Sequence, residues 1–243
     1  MTYRIATAAA LSLSVFALAA CGGNTESEAE EAAEVAAEAS EAPEAGAPEA
    51  PAEPELLPAP EGSMAGDVMS LGSPDAPLTI TEFASVTCPG CAAFHASAFP
   101  AIKEQFIDTG DVRFVYKEFP TPPVRYAQAG FILARCAATE AGPDAYFAMV
   151  DALYKTQRTW LYGDDTPGAL RNIAAQAGLA GEEFDNCFRR DDIRTALISS
   201  IEEGRDLDIT GTPTFVVDGQ VLTLRGTPDE IIAIIQAEVD KRR

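Results

Sequence analysis

Alternating and periodic apolar positions divide the chain from about residue 68 onward into strand-like and helix-like segments. Residues 78–84 are rich in β-branched side chains and partly alternate, residues 92–106 follow a helical period, and residues 112–116 are again strand-like. A strand, a helix and a second strand in succession predict a β–α–β unit whose two strands pair in parallel.

After this unit the apolar pattern is helical over about residues 124–207, and each successive segment has one apolar face. Thr166 and Pro167 are typical of a helix start, and Gly178 of a helix end. This part of the sequence predicts an all-helical insertion over about residues 120–208.

Strand-like runs return at residues 214–217 and 221–224, on either side of Asp218-Gly219, and this combination is a hairpin signal. A final helix is predicted from a capping-box pattern formed by Thr227, Pro228 and Glu230. The sequence therefore predicts an α/β fold in which the helical insertion separates the N-terminal β–α–β unit from a C-terminal β-hairpin and helix.

Residues 1–20 have the features of an export signal. Arg4 is followed by an apolar run that is too short to span a membrane comfortably. The run ends in Leu18-Ala19-Ala20-Cys21, which resembles the lipobox of bacterial lipoproteins. The resemblance implies cleavage before Cys21 and attachment of lipid to this residue. The alternative is an ordinary secretory signal followed by a chance cysteine.

Residues 21–66 consist mainly of Ala, Glu, Pro, Gly and Ser, with six prolines from Pro43 to Pro60. Such a segment cannot bury enough apolar surface to offset its chain entropy, so we expect a disordered tether that precedes a folded domain at 67–243. The net charge of −21 is concentrated in this tether, which has no Lys or Arg. Nucleic acid is not an expected partner, because phosphate binding needs basic clusters.

The chemistry is concentrated at Cys88-Pro89-Gly90-Cys91, at the junction between the first strand and its helix. A cysteine at a helix N-terminus faces free backbone N–H groups that favour its thiolate, and a second cysteine one turn later can close a disulfide. A metal site needs about four ligands. The chain has one CxxC and one histidine, His95, so we expect neither a metal nor another cofactor.

Two further elements are candidates for the same site. Glu82 interrupts an apolar strand, and a buried carboxylate there could exchange a proton with Cys91 through water. The alternative is a solvent-facing glutamate at a strand edge. Thr212-Pro213 precedes a strand, either as an ordinary turn or as a cis bond that offers the Thr212 backbone to a substrate segment.

Together these features resemble the thioredoxin superfamily. GSPDAPLTITEFASVTCPGCAAFH, followed by VRFVYKEFP, is similar to the DsbA-like periplasmic thiol:disulfide oxidoreductases, and the similarity runs over about residues 68–241. The resemblance implies a thioredoxin-like fold with a helical insertion. The roles that it implies are nucleophile for Cys88, resolving thiol for Cys91, buried proton acceptor for Glu82, and a cis bond between Thr212 and Pro213.

One position departs from the usual pattern of the family. Gly90 stands where a DsbA-like protein usually has histidine, and the missing imidazole removes a donor near the Cys88 sulfur. The direction of electron flow therefore stays open. His95 is interpreted as a structural or surface residue. Lys117 is a candidate partner for Glu82, with a solvated lysine as the alternative.

Two cysteines remain once Cys21 is assigned to lipid and Cys88 is paired with Cys91. They are Cys136 and Cys187. Some DsbA-like proteins carry a second bridge in the insertion, and an exported location permits one here. A bond between Cys136 and Cys187 would contribute about 4 kcal/mol by restricting the unfolded chain. The alternative is two buried free thiols.

The sequence, with these resemblances, predicts a lipid-anchored thiol:disulfide oxidoreductase that faces the periplasm in a bacterial cell envelope. Its expected partners are exported proteins bearing thiols or disulfides, a membrane redox partner, and the lipid bilayer. One alternative is an envelope disulfide reductase with the same fold. The other is a metal-binding module that uses the CxxC without turnover.

Overall fold

A five-stranded mixed sheet organises the structure, a computed structural model that describes residues 55–243. The strands are β1 (Ser70–Leu71), β2 (Leu78–Ala84), β3 (Val112–Glu118), β4 (Thr214–Val217) and β5 (Gln220–Leu222), in the spatial order β1-β3-β2-β4-β5. β2 and β3 are parallel, and the other neighbouring strands are antiparallel. The predicted β–α–β unit and C-terminal hairpin are confirmed.

The connection from β2 to β3 consists of three helical pieces, not the single helix predicted over residues 92–106. They are α1 (Pro89–Ser97), α2 (Phe99–Ile102) and a π-helical turn (Lys103–Ile107). Helix α1 begins before residue 92 because Cys88 caps it and Pro89 suits a first turn. The break falls at Ala98, since Pro100 has no N–H with which to continue the ladder of α1.

The insertion is helical throughout, as predicted. Its helices are α3 (Val124–Ala141), α4 (Pro143–Lys155), α5 (Gln157–Tyr162), α6 (Thr166–Gln176), α7 (Glu182–Cys187) and α8 (Asp191–Asp206). A disulfide joins Cys136 on α3 to Cys187 on α7, with their Cα atoms 5.7 Å apart. The structure thus contains the pairing anticipated from the sequence and not two free thiols.

The C-terminal part follows its turn and capping chemistry. Asp218 and Gly219 both have positive φ, of 50° and 76°, as a tight two-residue hairpin turn requires. β5 ends at Leu222, two residues before the prediction. Helix α9 (Pro228–Asp240) begins with the predicted capping box, in which the Thr227 hydroxyl accepts from the Glu230 N–H and the Glu230 carboxylate accepts from the Thr227 N–H.

Two apolar clusters meet along strand β2. One joins β2 and β3 to α1, α2 and α9, and the other fills the helical insertion and reaches the end of β2. Ile80 belongs to the first cluster and Ala84 to the second. Because side chains alternate along a strand, Glu82 points to the same face as both and lies between the two clusters.

The segment from Glu55 to Gly66 packs on the domain, so the tether expected to extend to residue 66 was extended too far. The N–H of Leu57 donates to the carbonyl of Arg189, and Ser63 donates to Asp192 on α8. Ala65 is fully buried, and its carbonyl accepts from the buried guanidinium of Arg135. The segment therefore contacts the insertion at several points and supplies a carbonyl partner to a buried charge.

The remaining N-terminal predictions lie outside the described residues. These are the signal peptide at 1–20, the lipid-bearing Cys21, and the tether as far as residue 54. Within residues 55–243, no helix is both long and apolar enough to cross a bilayer. Residues 55–243 contain both apolar clusters and all the contacts described below, so we expect this fragment to fold on its own.

A fragment that begins at Val68 is expected to be less stable than one that begins at Glu55. Removing residues 55–67 takes the Ala65 carbonyl from Arg135, and the loss of a charge-assisted hydrogen bond costs about 2–3 kcal/mol. Thermal unfolding followed by circular dichroism measures the difference. Glu61→Ala, at an exposed position of the same segment, serves as the control and should unfold at the unmodified midpoint. Equal midpoints for the two fragments would contradict this account of the segment.

Candidate active site

Cys88 lies at the carboxyl end of β2, where the chain turns into α1. It occupies the N-cap position, and its sulfur accepts a hydrogen bond from the Cys91 N–H at 3.4 Å. Pro89 follows in the first turn and removes no needed donor. The sulfur therefore faces the positive end of the helix, which favours an anion.

The two thiols have opposite electrostatic environments, although they are only one helical turn apart. A hydrogen bond from the Cys91 thiol is the main cause that lowers the pKa of Cys88 to about 5, outweighing partial burial. The backbone N–H groups of Cys91 and Gly90 lower it further. Burial raises the pKa of the fully buried Cys91 thiol, and hydrogen bonding to Cys88 and the charge of Glu82 add to the effect. The lowered pKa gives Cys88, and not Cys91, the thiolate character that is typical of reactive cysteines.

A second loop completes the surroundings of the Cys88 sulfur. The Thr212–Pro213 bond is cis, and the Thr212 carbonyl lies 3.2 Å from the sulfur. The buried Thr212 hydroxyl makes no close hydrogen bond within residues 55–243. A Cβ at Gly90 would lie 3.3 Å from Pro213 Cδ and 3.6 Å from the Cys88 sulfur, so the glycine allows the two loops to approach closely.

Polar side chains hold the loop that carries Cys88. Gln157 on α5 is buried and donates to the carbonyls of Val86 and Cys88, at 2.8 and 3.0 Å. The hydroxyl of Thr87 donates to the Thr121 carbonyl across the loop after β3. Gln157 was not anticipated from the sequence, because no local pattern marks it and its partners lie about 70 residues away in the chain.

Glu82 is fully buried, so the solvent-facing alternative was wrong. Its Oε2 lies 2.8 Å from His95 Nε2, and its Oε1 has no partner among residues 55–243. The suggested pairing with Lys117 was also wrong, because Lys117 binds Glu203 on α8. The register explains this: Glu82 is opposite Tyr116, so the next residue, Lys117, points to the other face of the sheet.

His95 is an interior residue of the site and not a surface one. It lies four residues after Cys91 and therefore on the same face of α1. Its ring stacks on Tyr154 with the centroids 4.7 Å apart, and the side chain is 8% exposed. Of the two interpretations that the sequence offered, structural or surface, the structure agrees with the first. The spacing of four residues from Cys91 was the available signal for this face of the helix.

A second buried carboxylate, Glu118, has a structural environment. It binds Arg135 through both oxygens, at 2.6 and 2.9 Å, and accepts from the Tyr146 hydroxyl. Burial opposes its ionisation, but the charge and hydrogen bonds of Arg135 outweigh burial and lower the pKa of Glu118. In the described part of the chain, no cluster of three or more His, Cys, Asp or Glu side chains is arranged to hold a metal ion.

Comparisons with known proteins match the family and the fold of this chain. A family model described as Thioredoxin matches residues 64–237. A "Putative protein-disulfide oxidoreductase" of Rickettsia bellii is 30% identical over 174 residues, which cover 71% of this chain and 63% of the relative. "Disulfide bond formation protein D" of Bacillus subtilis is 30% identical over 70% of this chain and 76% of its own. This chain therefore spans less than two thirds of the Rickettsia relative.

Solved structures show the same fold. The crystal structure of alpha-DsbA1 from Wolbachia pipientis superposes with a TM-score of 0.60 and 27% identity, over 72% of this chain and 90% of its own. The oxidised form of BdbD from Bacillus subtilis also superposes with a TM-score of 0.60, at 22% identity, over 77% of this chain and 98% of its own.

The low pKa of Cys88 predicts its reactivity. In the reduced 55–243 fragment, alkylation of Cys88 by iodoacetamide should reach half of its maximal rate near pH 5, because only the thiolate reacts. Mass spectrometry of digested samples taken from pH 3 to 9 measures this, with free glutathione titrating in parallel as the reference. Cys91 should stay unmodified at every pH. Half-maximal alkylation of Cys88 at about pH 8.5, the value of an ordinary cysteine, would contradict the geometry.

Proposed function

Because the chain belongs to the thioredoxin family of protein-disulfide oxidoreductases, we propose that Cys88 and Cys91 form a redox pair that exchanges disulfides with exported proteins. The observation that carries the proposal is the sulfur of Cys88 at the N-terminus of α1, with a pKa lowered to about 5. The proposed reaction needs no cofactor, since the two thiols carry the electrons themselves.

The proposed oxidising reaction has two exchanges. A substrate thiolate attacks the sulfur of Cys88 in the Cys88–Cys91 disulfide, and Cys91 leaves and takes up a proton. A second substrate thiolate then attacks the sulfur bonded to Cys88. The substrate gains a disulfide, Cys88 leaves as a stable thiolate, and the pair is reduced by two electrons. The low pKa of Cys88 favours this direction, because a stable thiolate is a good leaving group.

Glu82 and the Thr212–Pro213 loop have supporting roles in the proposal. The Oε1 atom of Glu82, which has no partner among residues 55–243, is available to give or take the proton of the buried Cys91. The backbone of Thr212 borders the sulfur of Cys88, where an extended substrate segment could pair with it, and Pro213 packs against Gly90.

A reductase with the same chemistry in reverse is the second candidate. The observation that favours it is Gly90, because this residue offers no side-chain donor to the Cys88 thiolate. In that direction the Cys88 thiolate attacks a substrate disulfide, and Cys91 resolves the mixed disulfide. The redox potential of the pair distinguishes the two directions.

The proposed location is the periplasmic side of a bacterial cell envelope, with lipid on Cys21 as the anchor. The lipobox-like Leu18-Ala19-Ala20-Cys21 supports this, together with the apolar run before it. A membrane redox partner would restore the spent pair, and exported proteins with thiols or disulfides would be the substrates.

Variants of the two cysteines test the exchange reaction. The oxidised 55–243 fragment should convert a reduced dithiol peptide to its disulfide. Cys88→Ser should abolish this, while Cys91→Ser should accumulate a mixed disulfide on Cys88 when it meets a substrate disulfide, because nothing resolves it. Chromatography and intact-mass measurement follow both products. The double variant Cys136→Ser/Cys187→Ser is the matched control and should retain exchange at 25 °C. Stoichiometric metal binding without any exchange would instead favour the metal-binding alternative.

Cys21→Ser tests the anchor in the full chain. Expressed in a bacterium with an outer membrane, the unmodified chain should fractionate with membranes and the variant with the soluble periplasm, since stable anchoring needs the acyl chains. Immunoblots of the two fractions measure this, with Thr25→Ser as the neighbouring control. A Cys21→Ser chain that still sediments with membranes would refute lipid anchoring at this residue.

A further inference from the structure

Helix α1 brings two functional side chains to the same buried carboxylate. Cys91 and His95 are four residues apart and share a face of the helix, and His95 contacts Glu82 on β2. The His95 Nε2 atom lies 2.8 Å from one oxygen of Glu82. The other oxygen has no partner within residues 55–243. The charge of Glu82 helps to raise the pKa of the Cys91 thiol, after burial and hydrogen bonding to Cys88.

Packing fixes the orientation of the imidazole. The ring of His95 stacks on Tyr154 and lies 4.6 Å from the ring of Phe99, measured between centroids. The Tyr154 hydroxyl is hydrogen-bonded to the Tyr116 hydroxyl at 2.7 Å, so Tyr154 already has a hydrogen-bond partner other than Glu82. Phenylalanine could fill the same space, but it would leave the buried Glu82 carboxylate without a hydrogen bond from residues 55–243. Packing alone therefore does not account for an imidazole here.

The charges around the pair leave His95 as the basic partner of Glu82. The titratable groups that face the pair are Cys91 on α1, Tyr116 on β3 and Tyr154 on α4. Burial raises the pKa of both tyrosines, so they stay neutral phenols. In the described part of the chain, no lysine or arginine forms an ion pair with Glu82.

We infer that His95 is a positioning residue that acts through Glu82 to assist proton transfer from and to the Cys91 thiol. The inference rests on the proposed exchange function. When Cys91 attacks a mixed disulfide on Cys88, its proton passes to the free oxygen of Glu82. The Cys88–Cys91 bond forms, and the bond to the substrate breaks with its electron pair on the substrate sulfur. His95 orients the carboxylate and shares the added proton, which it can pass to water through the 8% of its side chain that is exposed.

The test isolates the resolution step. Reduced 55–243 fragment is mixed with excess oxidised glutathione, samples are quenched in acid, and intact mass follows the glutathione adduct on Cys88 as Cys91 resolves it. His95→Gln is the main variant, because its amide can still donate to Glu82 but cannot carry a proton. His95→Tyr is the second variant, since it keeps an aromatic ring and a donor but stays neutral at pH 7. Ser97→Ala, at an exposed position of the same helix, is the matched control.

We expect His95→Gln and His95→Tyr to resolve the adduct at least about tenfold more slowly than wild type at pH 7, with Ser97→Ala unchanged. Between pH 5 and 8 the resolution rate of both His95 variants should rise about tenfold per pH unit, because hydroxide must then take the Cys91 proton, whereas the wild-type rate should rise less steeply. Adding His95→Gln to Glu82→Gln should cause no further loss, since His95 acts through Glu82. A purely structural role would change stability but not these pH slopes.

The outcomes separate the two claims. A wild-type fragment that forms no adduct, or forms one that Cys91 never resolves, overturns the proposed exchange function. A wild type that resolves the adduct, alongside folded His95 variants with the wild-type rate and pH slope, overturns the role of His95 alone. Additive losses in the double variant would also overturn it, because His95 would then act independently of Glu82.

Discussion

The position of the Cys88 sulfur at the N-cap of α1 is the constraint on which the rest of the site depends. There the sulfur meets unpaired backbone N–H groups and the positive end of the helix dipole, and Cys91 donates to it from one turn below. Because folding lowers its pKa, the thiolate stabilises the reduced protein fully above the ordinary cysteine range. This stabilisation is lost as the pH falls through about 5.

The same geometry creates the complementary problem of Cys91. One turn into the helix the side chain is buried, so its thiol holds its proton and, in the proposed reaction, must exchange it with a nearby group. The fold places Glu82 there, between two apolar clusters, and α1 itself provides His95. The insertion adds Gln157 beneath the loop and Tyr154 beneath the imidazole. The strand, the helix and the insertion thus each contribute side chains that surround the two cysteines.

Periodicity, turn chemistry and capping were sufficient to predict the parallel strand pair, the helical insertion, the hairpin and α9. They failed where the outcome depends on contacts between distant segments. The low complexity of residues 55–66 gave no sign that Ala65 would meet Arg135, and nothing local marked Gln157. The pairing of Lys117 with Glu82 failed for a different reason, since the register sets Tyr116 opposite Glu82 and strand alternation then turns Lys117 to the other face. A signal was also present for His95, which lies one turn beyond Cys91.

The redox potential of the Cys88–Cys91 pair tests the central claim most directly. It can be measured by equilibrating the 55–243 fragment with glutathione buffers and quantifying the reduced fraction. A Cys88 pKa of about 5 lies between those of thioredoxin and DsbA, so we expect a potential of about −180 mV, between their values of about −270 and −120 mV. A potential near −270 mV would mean that the helix terminus does not stabilise the thiolate as described, and that the pair delivers electrons instead of disulfides.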